Sequence, residues 1–183
     1  MREQSDTRTR IQETALRFFI EQGYEATSLR EIAEALGVTK AALYYHFKTK
    51  DDIVLSLAED RARTIEDLVA WAETQPRTEE TRRELLRRYS RDLKHGRHRQ
   101  IIRFFERNQT SLKNHPIMEK AREQMFLLVA FLVDPDDSPA TRLRNTTALF
   151  VMHSAWFMLR DAGLADHEVE DAALEVALDL VGR

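Results

Sequence analysis

Residues 27–50 have the sequence TSLREIAEALGVTKAALYYHFKTK, which predicts two short helices joined by a tight turn. Ser28 and Glu31 have the spacing of a capping box, in which the hydroxyl and the carboxylate each accept a hydrogen bond from a backbone amide at the helix start. Gly37 follows the first helix, where a sharp stop favours a residue that can adopt positive φ. Four apolar residues recur at helical spacing between these ends and predict one buried stripe, namely Leu29, Ile32, Ala33 and Leu36.

The second predicted helix begins after Thr39, whose hydroxyl can cap it. Two helices joined by such a turn form a helix-turn-helix motif, and its second helix enters the major groove of DNA. Thr39, Lys40 and Tyr44 are therefore predicted to contact bases, and the small Ala41 allows close approach. Donors around them are predicted to bind phosphate oxygens, namely those of Thr27, Ser28, Tyr45, His46, Lys48 and Lys50. The alternative is a helical hairpin with ordinary surface polar groups, which gives no reason for so many donors.

Residues 1–50 closely resemble the DNA-binding domain of TetR-family transcriptional regulators. The string LYYHFKTK at residues 43–50 is the most specific part of the resemblance. The other matching residues are Arg10, Ile11, Ala15, Phe19, Gly23, Tyr24, Thr27, Ser28, Ile32, Ala33, Gly37 and Val38. The resemblance implies an all-α homodimeric repressor that binds a double-stranded DNA operator. It also implies two domains: a three-helix DNA-binding domain at 1–50, and a larger helical domain for effector binding and dimerisation at 51–183.

The composition agrees with an all-α chain and excludes several kinds of site and segment. Of 183 residues, 43% are hydrophobic, and only 5 Gly and 4 Pro interrupt them, which favours helix. The chain has no cysteine, which excludes disulfides, thiolate metal sites and thiol nucleophiles. The sequence contains no apolar run near the ~20 residues of a membrane span, and residues 1–9 lack the apolar core of a signal peptide. We therefore expect a soluble, cytoplasmic protein with no membrane partner.

No pattern typical of catalysis or of a cofactor site is present. There is no Gly-rich phosphate loop, no nucleophile elbow and no paired-His zinc motif, so we predict no catalytic residue, metal or cofactor. His95 and His98 could share a metal at this spacing, but no third ligand stands near them. The alternative to a regulator is an all-helical binding or catalytic module that uses a helix-turn-helix-like hairpin for packing.

The charge is distributed unevenly along the chain. The net charge is −3, yet residues 1–50 carry 8 Lys and Arg against 7 Asp and Glu. Affinity for DNA depends on where cations meet phosphates rather than on the total. Positive charge is concentrated in residues 82–103, which contain nine Lys and Arg but only two acidic residues, Glu84 and Asp92. This cluster is either a solvated face paired with acidic neighbours or a rim that binds an anionic effector.

Beyond the motif, helix ends and apolar periods predict about nine helices in total. Besides the two helices of the motif, we predict one helix before it and six after it. They span residues 7–22, 50–74, 79–95, 98–113, 116–133, 139–162 and 167–181. Thr49 and Ser138 are predicted caps, and Pro139 has the first helical position after Ser138.

The last two predicted helices carry apolar and small residues along one side. We predict a dimer interface there, in which some positions pack inward and others meet the partner as a four-helix bundle. The alternative places all of them in the internal core. A two-fold dimer would require a palindromic operator. The predicted interface residues are Leu143, Thr147, Phe150, Val151, Ser154, Phe157, Val169, Ala173, Val176 and Leu180.

Aromatic side chains in the middle of the chain are predicted to line a pocket for a small-molecule effector. Sites between bundle helices are common, although most such side chains belong to the core. The predicted effector residues are Trp71, Tyr89, Arg103, Phe104, Phe126, His153 and Trp156.

Overall fold

The computed structural model describes residues 2–94, 96–113 and 115–181, and within these ranges it contains ten helices and no strand. The predicted all-α fold is confirmed. In chain order the helices are α1 (Arg2–Glu21), α2 (Leu29–Leu36), α3 (Lys40–His46), α4 (Lys50–Glu73), α5 (Glu79–Lys94), α6 (Gly96–Arg107), α7 (Gln109–Leu112), α8 (Pro116–Leu132), α9 (Pro139–Met158) and α10 (Asp166–Val181).

The predicted helix at 98–113 is two helices, because the chain is interrupted at Asn108. Two other ends differ from the prediction by more than two residues. Helix α1 begins at Arg2 rather than at residue 7, since residues 2–6 contain no Gly or Pro to end a helix. Helix α9 ends at Met158 rather than at 162, and a turn follows that contains Gly163 with φ +68°.

The chain forms two compact units. The first comprises Met1–Ala62 and Gly96–Ala121, and helix α6 packs against α1 within it. Its apolar core draws on α1 to α4 and on α6 to α8, with fully buried side chains at Ile11, Leu16, Phe19, Ile32, Leu43, Leu57, Ile101, Phe104, Leu112 and Ile117. The helix-turn-helix segment therefore shares its core with residues from much later in the sequence.

The second unit comprises Arg63–His95 and Arg122–Arg183. Helix α10 packs against α9 and α5 there. Its main core contains Ile65, Ala72, Leu85, Leu86, Tyr89, Leu128, Leu132, Leu149, Met152 and Ala177. These units describe packing, whereas the predicted division at residues 50 and 51 concerns function and stays a prediction.

Across the described ranges, no helix combines the length and the hydropathy that a bilayer crossing requires.

Candidate DNA-binding interface

Helix α2 begins with the predicted capping box. The Ser28 amide donates to Glu31 Oε2 at 2.8 Å, and the Glu31 amide donates to Ser28 Oγ at 3.2 Å. The hydroxyl of Ser28 also donates to the Glu31 carboxylate at 2.7 Å. These hydrogen bonds to the charged form lower the pKa of Glu31. The start of the motif is thus fixed by contacts between residues three positions apart.

The turn between α2 and α3 is fixed by Gly37 and Thr39. Gly37 has φ +66°, a left-handed conformation that glycine adopts without the steric cost of a Cβ. The Val38 amide donates to the Ala33 carbonyl at 3.1 Å, which closes the end of α2. Thr39 Oγ1 then accepts from the Ala42 amide at 3.1 Å and caps α3. Each of these predicted ends is confirmed.

Helix α3 buries one face and exposes the other. Leu43 is buried in the core of the first unit, and Phe47 is buried directly after the helix. The opposite face exposes Thr39, Lys40 and Ala41 in the first turn, and Tyr45 is 70% exposed. Because the exposed end is the N-terminal end, this face can meet base edges as a groove-inserted helix requires.

The remaining side chains on this face are partly held by neighbours. Lys40 Nζ lies 5.4 Å from the centroid of the Tyr44 ring, and Tyr44 is half-buried. The rings of Tyr45 and His46 make an edge contact with centroids 5.3 Å apart. Lys48 is exposed, and its backbone amide donates to Asp52 at the start of α4. These positions are compatible with the predicted base and phosphate contacts, which stay predictions.

Thr27 differs from the prediction. Its side chain is buried, and its hydroxyl donates to the Gly23 carbonyl at 2.9 Å and accepts from Gln22 Nε2 at 3.2 Å. A buried hydroxyl that already holds the α1–α2 turn cannot reach a phosphate, so we withdraw this side chain from the predicted contacts. Ser28, beside it, is exposed and stays in the set.

Lys50 and Tyr24 are joined by hydrogen bonds that could not be predicted from the sequence. Lys50 Nζ donates to the Tyr24 carbonyl at 2.7 Å and to the Glu25 carbonyl at 3.3 Å. The Tyr24 hydroxyl donates to Asp51, which also lies 3.6 Å from His115 Nε2. Burial, together with the hydrogen bond to Asp51, raises the pKa of Tyr24 well above its usual range. In the protein without DNA, the ammonium of Lys50 is therefore held by the turn before α2.

The predicted effector residues are divided between the two units. Arg103 and Phe104 belong to the first unit, where the Phe104 ring packs against Phe19 with centroids 5.4 Å apart. Phe104 is therefore a buried core residue of that unit, and its predicted effector contact stays a prediction. The other five belong to the second unit: Trp71, Tyr89, Phe126, His153 and Trp156.

Within the second unit, the side chains of Tyr89 and His153 are hydrogen-bonded to each other. The Tyr89 hydroxyl lies 2.7 Å from His153 Nε2, and Tyr89 is buried whereas His153 is half-buried. The Arg88 guanidinium lies 3.8 Å from the centroid of the Trp71 ring. Phe126 is 63% exposed, and Trp156 packs on a small cluster with Ala155. The unit thus offers polar groups beside apolar ones, but the predicted effector contacts stay predictions.

The predicted interface residues on α9 and α10 separate into exposed and internal groups. Leu143, Phe150 and Phe157 are exposed at seven-residue intervals along α9, and Val176 is exposed on α10. Thr147, Val151 and Ser154 are half-buried. Leu180 is also half-buried, at the edge of the main core. Val169 and Ala173 are buried and pack with Ala155 inside the chain. We therefore withdraw Val169 and Ala173 from the predicted interface, and the other positions stay predictions.

The basic residues of α5 pair with carboxylates. Arg88 Nε and Arg91 Nη2 each lie 3.0 Å from Glu84 Oε1. Lys94 Nζ lies 2.6 Å from Asp171 Oδ1, and this ion pair lowers the pKa of Asp171. Arg82, Arg83 and Arg87 also have carboxylate partners. In this part of the cluster, the interpretation as a face paired with carboxylates is supported, although the Arg82–Asp137 pair is largely buried rather than solvated.

No metal site is evident in the part of the chain that the structure describes, where no three His, Asp or Glu side chains are grouped as ligands. His95, one member of the histidine pair considered above, lies outside the described residues.

Comparison with known proteins finds similarity to one family of regulators in the region of the helix-turn-helix segment. Residues 11–57 match the family model for bacterial regulatory proteins of the tetR family. Over 57 residues the chain is 49% identical to the HTH-type transcriptional regulator AcrR of Shigella flexneri, which covers 31% of this chain and 26% of AcrR. It is 41% identical to the transcriptional repressor AcnR of Corynebacterium glutamicum over 63 residues, 34% of each protein. The chain thus matches only a quarter to a third of the length of these relatives.

Solved structures extend the similarity of fold to nearly the whole chain. A TetR-family regulator from Marinobacter aquaeolei VT8 matches 95% of this chain and 88% of its own, with a TM-score of 0.72 and 21% identity. NalD of Pseudomonas aeruginosa, described as the secondary repressor of a multidrug efflux pump, matches 100% and 97%, with a TM-score of 0.69 and 23% identity. At these identities the similarity shows the fold alone.

Proposed function

We propose that this chain, which belongs to the TetR family of transcriptional regulators, is a repressor that binds double-stranded DNA through α2 and α3. The observation that carries the proposal is the capped α2–α3 segment, whose second helix exposes Thr39, Lys40 and Ala41 in its first turn. Repression rather than activation is supported by relatives named as repressors, such as AcnR. The family is one of regulators and not of enzymes, so the catalytic alternative is set aside.

We further propose that the repressor binds a palindromic operator as a homodimer. The exposed apolar residues Leu143, Phe150 and Phe157 support this, because their seven-residue spacing forms a stripe of the kind that pairs helices. A monomer rarely exposes such a stripe without a partner for it. A two-fold dimer presents two copies of α3 in opposite directions, which requires two inverted half-sites.

A small molecule is proposed to release the repressor from DNA by binding in the second unit. Tyr89 and His153 supply a bonded polar pair beside Trp71 and Met152, a combination common in ligand sites. Because Arg82 to Lys94 already pair with carboxylates, their charge gives no preference for an acidic effector. Thermal-shift screening of acidic, neutral and cationic apolar compounds tests this proposal, and the absence of any stabilising compound would count against it.

DNA binding itself is tested by a mobility shift with the promoter DNA beside the gene. The wild-type protein is expected to retain this duplex at a salt concentration that abolishes binding to a scrambled duplex of equal length. Equal affinity for the two duplexes at every salt concentration would contradict sequence-specific repression.

A further inference from the structure

One buried side chain of the first unit, that of Asn108, connects three segments that are distant in sequence. Asn108 Nδ2 donates to the Phe19 carbonyl at 3.2 Å and to the Phe104 carbonyl at 2.9 Å. Its Oδ1 accepts from the Tyr24 amide at 3.0 Å. The side chain thus joins the end of α6 both to α1 and to the turn that leads into α2.

The position of Asn108 in the chain makes these contacts informative. Asn108 immediately precedes α7, where asparagine commonly caps the following helix. Here it makes no capping hydrogen bond to α7, and both ends of its amide are directed to the α1–α2 region instead. The local preference of the residue has been overridden by contacts with residues 84 and 89 positions away.

The carbonyl of the same Tyr24 is bound by Lys50. Asn108 Oδ1 accepts from the amide of Tyr24, while Lys50 Nζ donates to its carbonyl. The rings of Phe19, Tyr24 and Phe104 pack together, with centroids 5.2 to 6.3 Å apart. The backbone of Tyr24 is therefore held on both sides, four residues before the Ser28 cap of α2.

We propose that Asn108 is a positioning residue for DNA binding, which fixes the α1–α2 turn and through it the placement of α2 and α3. This inference rests on the proposed function. Because α2 and α3 are joined by a short turn with hydrogen-bonded caps at Gly37 and Thr39, a displacement of the α1–α2 turn is expected to move the exposed face of α3 with it. Binding to an operator requires that face in register with base edges, whereas binding to random-sequence DNA depends mainly on charge.

The test compares Asn108→Ala with a matched variant, Asn145→Ala. Asn145 is also buried, and its Nδ2 donates to the Leu132 carbonyl at 2.9 Å in the second unit. Operator and random-sequence DNA are titrated by fluorescence anisotropy with the full chain, at a temperature well below the unfolding transition of each variant. We expect Asn108→Ala to weaken operator binding by about tenfold, comparable to the loss of one base contact. Its affinity for random-sequence DNA is expected to stay near that of wild type.

Asn145→Ala is expected to destabilise the fold while leaving both affinities unchanged. Equal operator affinities for the two variants, or a parallel loss of operator and random-sequence binding in Asn108→Ala, would overturn the proposal. If Asn108→Ala does not fold, Asn108→Asp replaces it, since the carboxylate keeps the acceptor for the Tyr24 amide and loses both donations. Failure of both variants to fold at a temperature at which Asn145→Ala is folded would assign Asn108 a purely structural role.

Failure of the proposed function is recognised separately. A wild-type protein that does not distinguish its promoter duplex from random-sequence DNA would overturn the proposed repressor function, and the positioning role with it. Hydrogen exchange checks the geometry without DNA. The Tyr24 amide is expected to be protected in wild type and in Asn145→Ala, and to exchange faster in Asn108→Ala. An unchanged Tyr24 exchange rate in Asn108→Ala would contradict the inference.

Discussion

The ammonium of Lys50 donates a hydrogen bond to the backbone carbonyl of Tyr24 at 2.7 Å, so the last residue of the motif signature holds the turn that precedes the motif. Hydrogen bonds from charged donors contribute roughly 1.5–3 kcal/mol, at the lower end when partly exposed to water as here. Lys50→Ala is therefore expected to lower the free energy of unfolding by about 1.5 kcal/mol and to weaken DNA binding. Chemical denaturation and DNA titration measure the two effects.

Lys48 provides the control for that substitution. It is exposed, and among the described residues its ammonium makes no hydrogen bond or ion pair. Lys48→Ala should leave the unfolding free energy nearly unchanged and reduce the dependence of log affinity on log salt by about 1 per half-site. A change in base preference rather than in salt dependence would show that Lys48 does not bind phosphate.

Lys40 is expected to read a base rather than a phosphate. It is exposed in the first turn of α3, with its ammonium beside the Tyr44 ring. Lys40→Ala should reduce discrimination at one base position in each half-site by ~1–3 kcal/mol and affect other positions little. Affinity measured over a set of single-base operator variants tests this. A uniform loss over all variants would instead assign Lys40 to the phosphate backbone.

The capping box predicts a pH effect at the start of α2. Hydrogen bonds from Ser28 lower the pKa of Glu31 below its ordinary value of 4.5, because they favour the carboxylate. The stabilisation is therefore present above pH 4.5 and is lost as the pH falls through the lowered pKa. An NMR titration should show the lowered pKa in wild type and a return towards 4.5 in Ser28→Ala. Identical titration curves for the two proteins would contradict the capping role.

Exposed and internal residues of the last two helices should respond differently to the same substitution. Phe150 is exposed on α9, so Phe150→Asp should give a folded monomer with weak operator binding, because a buried unpaired charge costs several kcal/mol at an interface. Ala173 is internal, so Ala173→Asp should destabilise the chain itself. Sedimentation and thermal unfolding distinguish the two outcomes. A Phe150→Asp protein that remains dimeric would place the interface elsewhere.

Features that depend on near neighbours could be predicted from the sequence. The Ser28–Glu31 box, the left-handed Gly37 and the Thr39 cap are each formed within a few residues, and all three are present. The apolar stripe of α2 likewise follows from helical spacing alone. The helix-turn-helix and the all-α fold were therefore predictable.

Features that depend on tertiary contacts could not be predicted in this way. Thr27 has a side chain of the kind that contacts phosphates, but in the folded turn its hydroxyl donates a hydrogen bond to the Gly23 carbonyl. The stripe on α10 does not distinguish Ala173, which packs on Ala155, from the exposed Val176. Asn108 interrupts a helical pattern without any Gly or Pro. Nothing near Asn108 in the sequence marks this interruption, because two of its three partners, Phe19 and Tyr24, lie more than 80 residues away.

The most direct test of the account is DNA binding by Ala41→Asp. Ala41 is exposed in the first turn of α3, where a carboxylate is compatible with the helix dipole, so the fold should be retained. Ala121→Asp adds the same charge at an exposed position of α8 and serves as the control. We predict that Ala41→Asp loses operator binding in a fluorescence anisotropy titration, because the new carboxylate is repelled by the negatively charged DNA. Ala121→Asp is predicted to bind like wild type. Wild-type affinity for the operator in a folded Ala41→Asp protein would contradict the assignment of α3 as the helix that contacts DNA.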